Sequence, residues 1–472
     1  VPPLRRSLWH EHISADARDS PTRRRSAARA LPGGSTIRGE DVTVAAEKRR
    51  RSTLASVARV VRQLGPGLIT GASDDDPSGI GTYAQAGAQL GFGIGWTMFL
   101  TFPLMAAIQE ISARIGRTTG HGIAGNLCRH YPGWLLYSVV TPLFLANTIN
   151  IGADLCAMAD VVKLLIGGPG AVYAVAFGAI CALATIVMNY AHYVRVLKWM
   201  TLSLFTYVAA LFAVSMPWGE ALLGILVPKL AWSSEFFTTL LAILGTTISP
   251  YLFFWQASQE AEDQRVDRRA KPLVKAPWQA FGAFGRIRAD TLTGMAFSNL
   301  IALAIILTTA ATLNKAGITS VESSAQAAEA LRPIAGEFAF VIFALGIVGT
   351  GLLAVPVLAG SAAYAIGEAC KWPIGLSRKP RDAAAFYSTL AGSTLLGITI
   401  TLAPIDPIKA LYWTAVINGL VAVPVMFVMM IMTAQPRVMG KFTIKGWLRW
   451  LGWAATLAMA ACALGMIARW IV

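Results

Sequence analysis

Long apolar runs recur along almost the whole chain, and they constrain the fold more than any motif does. An α-helix needs about 20 apolar residues to cross a hydrocarbon layer about 30 Å thick. Runs of that length fall at roughly 58–88, 91–113, 134–166, 170–190, 196–216, 237–260, 290–312, 337–367, 384–403, 408–433 and 449–471. The expected fold is all-α, a polytopic membrane protein with about 11 transmembrane helices. Composition agrees: 55% of residues are hydrophobic, 14% are charged and the mean hydropathy is +0.56, against roughly 25% charged residues in soluble domains.

The net charge of +15 is explained by where the cations fall. Lys and Arg concentrate in cytoplasmic loops of membrane proteins. Arg114, Arg117 and Arg129, then Arg195 and Lys198, then Arg265 to Arg288, then Lys371 to Arg381, then Arg437, Lys441 and Lys445 occupy alternate loops. The intervening loops hold Lys229, Lys315, Arg332 and little else. This alternation predicts a cytoplasmic N-terminus, with the C-terminus on the opposite side of a bacterial inner (plasma) membrane. It removes the need for a nucleic-acid partner and leaves anionic lipid as a secondary contact.

Residues 1–57 lack an apolar core segment and carry Arg23-Arg24-Arg25 and Lys48-Arg49-Arg50-Arg51. They read as a disordered basic cytoplasmic tail, because a cleaved signal needs an apolar region and a transit peptide is poor in acids. Residues 58–472 are then expected to form the transmembrane domain. Cys128, Cys156, Cys181, Cys370 and Cys462 form no CxxC pair, so they read as packing residues.

Two spans are broken. In the first, Gly71-Ala-Ser-Asp-Asp-Asp-Pro-Ser-Gly79 puts three carboxylates and a proline inside an apolar run. Proline removes helix hydrogen bonds, and charge in hydrocarbon must be paired. In the sixth, Gly245, Thr246, Thr247, Ser249 and Pro250 interrupt another run. Breaks five helices apart are the sign of a five-plus-five inverted repeat with substrate bound where the broken helices 1 and 6 meet. The repeats are read at 58–216 and 237–433, followed by an additional helix at 449–471. Neither break holds Cys or Met. Carboxylates, hydroxyls and carbonyls suit hard divalent cations, whereas soft metals seek sulfur.

Gly65-Pro66-Gly67, Asp76-Pro77-Ser78-Gly79, Gln85-Ala86-Gly87-Ala88, Gln109 to Gly116, Thr119-Gly120 and the Thr-Ile-Ser-Pro break resemble the natural resistance-associated macrophage protein family of divalent-metal transporters. The resemblance covers nearly everything after the tail. Manganese and iron transporters of that family carry Asp-Pro-Gly-Asn in the first helix and Met-Pro-His in the sixth. Here Gly79 stands at the Asn position, and Ser249-Pro250-Tyr251 replaces Met-Pro-His. The pattern is similar to the family's magnesium-transporting branch. Loss of the Asn and Met side chains is expected to enlarge the pocket for a dication that keeps its water, as Mg²⁺ does.

Asp76 is the leading ion ligand and also a good cap for the following half-helix. Asp74 and Asp75 are added as members of a multi-carboxylate pocket, with the wet flank of the break as their alternative. Ser249 and Thr246 align with positions that supply oxygens in relatives, with intrahelical bonding as their alternative. Asn418 in the tenth span lies near a family Gln that approaches the ion. The third span carries Asn147, Asn150, Asp154 and Asp160, yet the family's proton-carrying Asp aligns with Ala157, and its sixth-helix His aligns with Tyr251. The resemblance therefore implies Mg²⁺, with Mn²⁺ second, moved by alternating access with weak or no proton coupling. The alternative is a proton-coupled Mn²⁺/Fe²⁺ symporter. No cofactor and no obligatory protein partner is inferred beyond the ion and the bilayer. An intramembrane aspartyl protease would need facing carboxylates and has only Gly152-Ala153-Asp154 to offer. An amino-acid transporter would place three aspartates against its substrate's carboxylate.

Overall fold

The structure, a computed structural model, describes residues 66–471 apart from 188–204, 268, 322, 330–335, 337–338 and 404–405. The basic tail at 1–57 and the loop cations Arg195 and Lys198 lie outside the described residues. The principal helices are α1 (Pro66–Asp74), α2 (Pro77–Leu90), α3 (Trp96–Thr119), α4 (Ile123–His130), α5 (Gly133–Ile166), α6 (Gly170–Val187), α7 (Phe205–Ala213), α8 (Trp218–Leu226), α9 (Ser234–Thr247), α10 (Pro250–Val266), α11 (Ala280–Thr309), α12 (Ala339–Ala369), α13 (Ala384–Ile400), α14 (Pro407–Thr433) and α15 (Gly446–Ile471). Among the described residues six helical spans have the length and apolarity to cross a membrane unaided. The others are interrupted, carry polar residues or reach into residues not described.

The burial pattern inverts that of a soluble protein. Asp74, Asp75, Asp76, Asp154 and Asn150 are buried, while Phe99, Leu183, Phe212 and Leu464 are exposed. A wide apolar exterior around a polar centre is what a bilayer requires of a helical bundle.

Helix pairings in the two halves correspond. α2 packs on α11 as α10 packs on α3, α5 packs on α6 as α12 packs on α13, and α5 and α12 pack on each other. The loop cations also gather at one end, where residues following α3, α10 and α12 line a single cavity and Arg437 lies over the Tyr131 ring at 5.1 Å. The alternate cation-rich loops 2, 6, 8 and 10 thus share a side, as the charge pattern requires.

Close helix crossings hold the broken spans in place. A Cβ on Gly71 would overlap the Gly294 backbone of α11, and one on Gly245 would overlap the Ala415 carbonyl of α14. Without a hydrophobic drive between helices in lipid, small residues permit the backbone approach that supplies van der Waals energy. The Gly67 N–H also donates to the Asp290 carboxylate at 2.8 Å, which fixes the start of α1 to α11. Gly71→Ala is expected to lower the melting temperature of the detergent-solubilised protein by the equivalent of about 1–3 kcal/mol of overpacking. Gly282→Ala, with nothing within 4 Å of its added Cβ, is expected to leave it unchanged; a matched pair of thermal melts decides.

Candidate functional site

Both breaks are built the same way. The residue before a proline is pushed out of the α region, and Asp76 (φ −69°, ψ 171°) and Ser249 (φ −76°, ψ 133°) are both extended. Pro77 and Pro250 then open α2 and α10 at the first helical position, where a missing N–H costs nothing. Asp76 Oδ1 accepts the Gly79 N–H at 2.6 Å, so the carboxylate caps α2. Ser249 makes no such cap. Its hydroxyl donates back to the Gly245 and Thr246 carbonyls, at 2.7 and 2.8 Å. In this conformation Ser249 has the intrahelical bonding expected of a serine in a membrane helix.

The breaks meet. The Tyr251 hydroxyl donates to the Ser73 carbonyl at 2.8 Å and stands 3.4 Å from Asp76 Oδ2. A Cβ on Gly79 would lie 3.2 Å from Thr246 Oγ1 and 3.1 Å from the Asp74 carbonyl oxygen, so Gly79, Asp74 O and Thr246 form one wall. The space beside Gly79 is narrow in this conformation. The two half-helices close into the space, and Tyr251 bridges it.

The three adjacent aspartates part company. Asp74 Oδ2 and Asp75 Oδ1 accept from the Ser298 hydroxyl of α11 at 2.6 and 3.1 Å. Asp76 turns instead toward α5, where Asn150 Nδ2 donates to Asp76 Oδ2 at 3.2 Å and to Asp154 Oδ2 at 3.3 Å. Asn418 Nδ2 of α14 reaches Asn150 Oδ1 at 3.5 Å. Among the described residues no three His, Cys, Asp or Glu side chains converge as a metal cage. Instead one or two carboxylates sit among amides, hydroxyls and carbonyls. Asp74 Oδ1, Asp75 Oδ2, Asp154 Oδ1 and Asn418 Oδ1 are buried with no hydrogen-bond partner. Buried acceptors without donors are costly, and a cation satisfies them directly. The C-terminal ends of α1 and α9 add the negative ends of two helix dipoles.

Asp76, Gly79, Thr246 and Asn418 are thus brought to one region, Ser249 flanks it, and Asp74 and Asp75 face α11. Asn150, Asp154 and Tyr251 join the site although the motif alignment set them aside. The signal available in sequence was the Asn150/Asp154 spacing of four, which puts an amide and a carboxylate on one helix face.

A model of the family described as natural resistance-associated macrophage protein-like matches residues 67–469. The chain belongs to that family. It is accordingly a membrane transporter of divalent metal cations and not an enzyme; the metal is its substrate, and no cofactor is required. The chain is similar to the divalent metal cation transporter MntH of Klebsiella pneumoniae, 24% identical over 401 residues, 83% of this chain and 90% of the relative. Its fold is similar to that of the Eremococcus coleocola manganese transporter, with TM-score 0.68 and 14% identity over 87% of this chain and 86% of the other. MhsT in complex with L-phenylalanine shares the fold at TM-score 0.54 and 12% identity, over 85% and 98%. This family member is therefore an all-α integral membrane protein of the inverted-repeat architecture.

Asp76→Asn separates the two duties of the central residue. Asn caps a helix about as well as Asp, so the melting temperature is expected to stay close to wild type. Metal uptake is expected to fall at least about tenfold, since a charge-assisted contact is worth about 1.5–3 kcal/mol. Retained uptake in liposomes would remove Asp76 from the ion path.

Proposed function

We propose that this family member carries Mg²⁺ across a bacterial inner membrane as a partly hydrated ion, with Mn²⁺ as a second substrate, by alternating access of the broken helices. The observation that carries this reading is the donor set. Asp76 stands among Asn150, Asn418, Tyr251 and Asp154, with no sulfur in either break. Mg²⁺ surrenders water reluctantly and takes one or two carboxylates, its remaining positions filled by water and neutral oxygens. A sulfur ligand favours transition metals, and Ser249 stands where the family's manganese and iron transporters carry Met. The similar proteins are named for divalent metal cations and for manganese, which supports Mn²⁺ as the second ion. The seven residues Asp74, Asp75, Asp76, Gly79, Thr246, Ser249 and Asn418 remain the proposed ion path, now joined by Asn150, Asp154 and Tyr251.

The proposed orientation has the N-terminus and the cation-rich loops in the cytoplasm and the C-terminus outside. The proposed organisation is a basic tail at 1–57 ahead of a transporter domain at 58–472. Inward movement of a dication is then assisted by the membrane potential at about 2.3 kcal/mol per charge per 100 mV, which suffices without a proton gradient.

One observation favours proton-linked transport as a second reading. Asp154 is joined to Asp76 through the single amide of Asn150, so a proton-carrying group stands next to the ion ligand despite Ala157 and Tyr251. Uptake of Mg²⁺, Mn²⁺ and Ca²⁺ into liposomes containing a metal indicator and a pH probe separates the readings. Mg²⁺ entry without acidification is expected. Mn²⁺ entry with neither Mg²⁺ entry nor competition would sink the magnesium assignment. Acidification that tracks metal entry and disappears in Asp154→Asn would establish coupling. Ser249→Met is expected to raise Mn²⁺ uptake relative to Mg²⁺ several-fold, measured in the same assay.

A further inference from the structure

At the end of the molecule where the cation-rich loops gather, α4, the end of α10 and the segment after α12 enclose a cavity of about 450 Å³, within the roughly 300–1,000 Å³ of ligand pockets. Arg129, Arg265, Lys371 and Arg378 line it, with His121 and a single carboxylate, Glu368. That carboxylate lies within electrostatic reach of Arg265 and Arg129, but its hydrogen bonds go to the backbone. It accepts the Gly122 N–H at 2.6 Å and the Gly125 N–H at 2.8 Å. Nearby Glu262 is likewise tied to the Ser377 N–H at 2.6 Å, the Leu376 N–H at 3.2 Å and the Tyr364 hydroxyl. Among the described residues the ion pairs within 4.0 Å are Glu110–Arg114, Glu260–Arg286 and Asp406–Lys409. None of the four cavity cations takes part in one.

The lining therefore carries four Lys or Arg side chains against one carboxylate. Lys371 is the one non-glycine residue with positive φ among the described residues, at 59°. Such a backbone costs about 1–2 kcal/mol in an L-residue, and the turn is held by Lys371 N–H to Glu368 O at 3.3 Å and Trp372 N–H to Gly367 O at 2.8 Å. His121, in the loop between α3 and α4, has its pKa lowered to about 4 by burial and then by Arg129, Arg265, Lys275 and His130. It is neutral at pH 7, and the positive charge of the lining is that of Arg129, Arg265, Lys371 and Arg378. Arg378 is steered by its Nε bond to the Ile374 carbonyl at 3.1 Å.

We propose that this cavity binds a phosphate group, carried either by the headgroup of an anionic phospholipid or by a soluble phosphorylated molecule. Three guanidinium groups and an ammonium supply the forked and point-charge donors that phosphate oxygens accept. Trp372 lines the cavity and Trp134 is exposed beside α4, and exposed tryptophans mark the headgroup level of a membrane. Lipid is therefore within reach. An occupant would join the ends of α10 and α12, the helices that carry Tyr251 and its partner Ser361, so it would bear on the second broken span. This site differs in sign and place from the ion path, and its test does not depend on which metal is carried.

The full chain is placed in phosphatidylcholine nanodiscs, in discs that also contain phosphatidylglycerol, and in phosphatidylcholine discs supplied with inorganic phosphate or ATP. Thermal melts and native mass spectrometry of retained lipid are the readouts. A lipid site is expected to raise the melting temperature and retain phosphatidylglycerol, while phosphate and ATP in phosphatidylcholine do nothing. A soluble ligand gives the converse. In either case Arg129→Gln/Arg378→Gln is expected to weaken binding at least about tenfold, two lost charge-assisted bonds, whereas Lys379→Gln/Arg381→Gln, outside the cavity, is expected to retain it. If the first double variant does not fold, Lys371→Gln takes its place. Stabilisation by neither class, or stabilisation that survives loss of the cavity cations, overturns the proposal.

Discussion

The constraint on which the rest depends is a buried carboxylate that must stand between two half-helices, cap the second and keep an oxygen free for groups of other helices, and for the ion in the proposed path. Asp76 does this because Pro77 forces it into an extended conformation and gives α2 its first turn. One oxygen is fixed by the Gly79 N–H, which leaves the other for Asn150 and Tyr251. A buried charge is tolerable in hydrocarbon only with partners, and every partner comes from a different helix. The broken span therefore cannot form alone. It needs α5, α10 and α11 around it, and the Gly71–Gly294 approach and the Gly67–Asp290 bond show how closely α11 attends it.

Ser298 explains why three consecutive aspartates are not one three-carboxylate site. Successive residues at the end of a helix point in different directions, so Asp74 and Asp75 meet α11 while Asp76, past the end, meets α5. The result is a line of acidic groups running from α11 to α5 rather than a cage. In the proposed ion path such a line would offer several weak positions in place of one tight one, and transport requires that binding be weak enough to release.

Much of the fold was legible in the sequence, because apolar length and the Pro-containing breaks are local signals. The loop charges, residues such as Arg129, Arg265 and Lys371, do gather at one end, and the two breaks do meet through Tyr251 and Ser73. The site was legible only where a motif names it. Asn150 and Asp154 were visible as intramembrane polar residues, but their approach to Asp76 depends on the rotation of α5 against the first break, which no local pattern encodes. The surroundings of Gly79 were not legible for a related reason: which groups stand beside it, here Thr246 and the Asp74 carbonyl, is set by how the two breaks meet.

The two charged regions have opposite logic. At the breaks, acids lie buried among neutral donors and leave acceptor atoms unpaired, an arrangement that a cation completes. At the cation-rich end, Glu368 and Glu262 spend their hydrogen bonds on backbone N–H groups, and the cavity keeps an excess of positive charge, four Lys or Arg side chains against one carboxylate, that the proposed phosphate would complete. Two helices reach both: α10 through Tyr251 at its start and Arg265 near its end, and α12 through Gly351 beside Pro77 and Glu368 in the cavity. If α10 moves as one body when the proposed ion path opens, it carries Arg265, and with it one wall of the cationic cavity. Binding at either region that distinguishes two positions of α10 must therefore influence the other, by the reciprocity that governs linked equilibria.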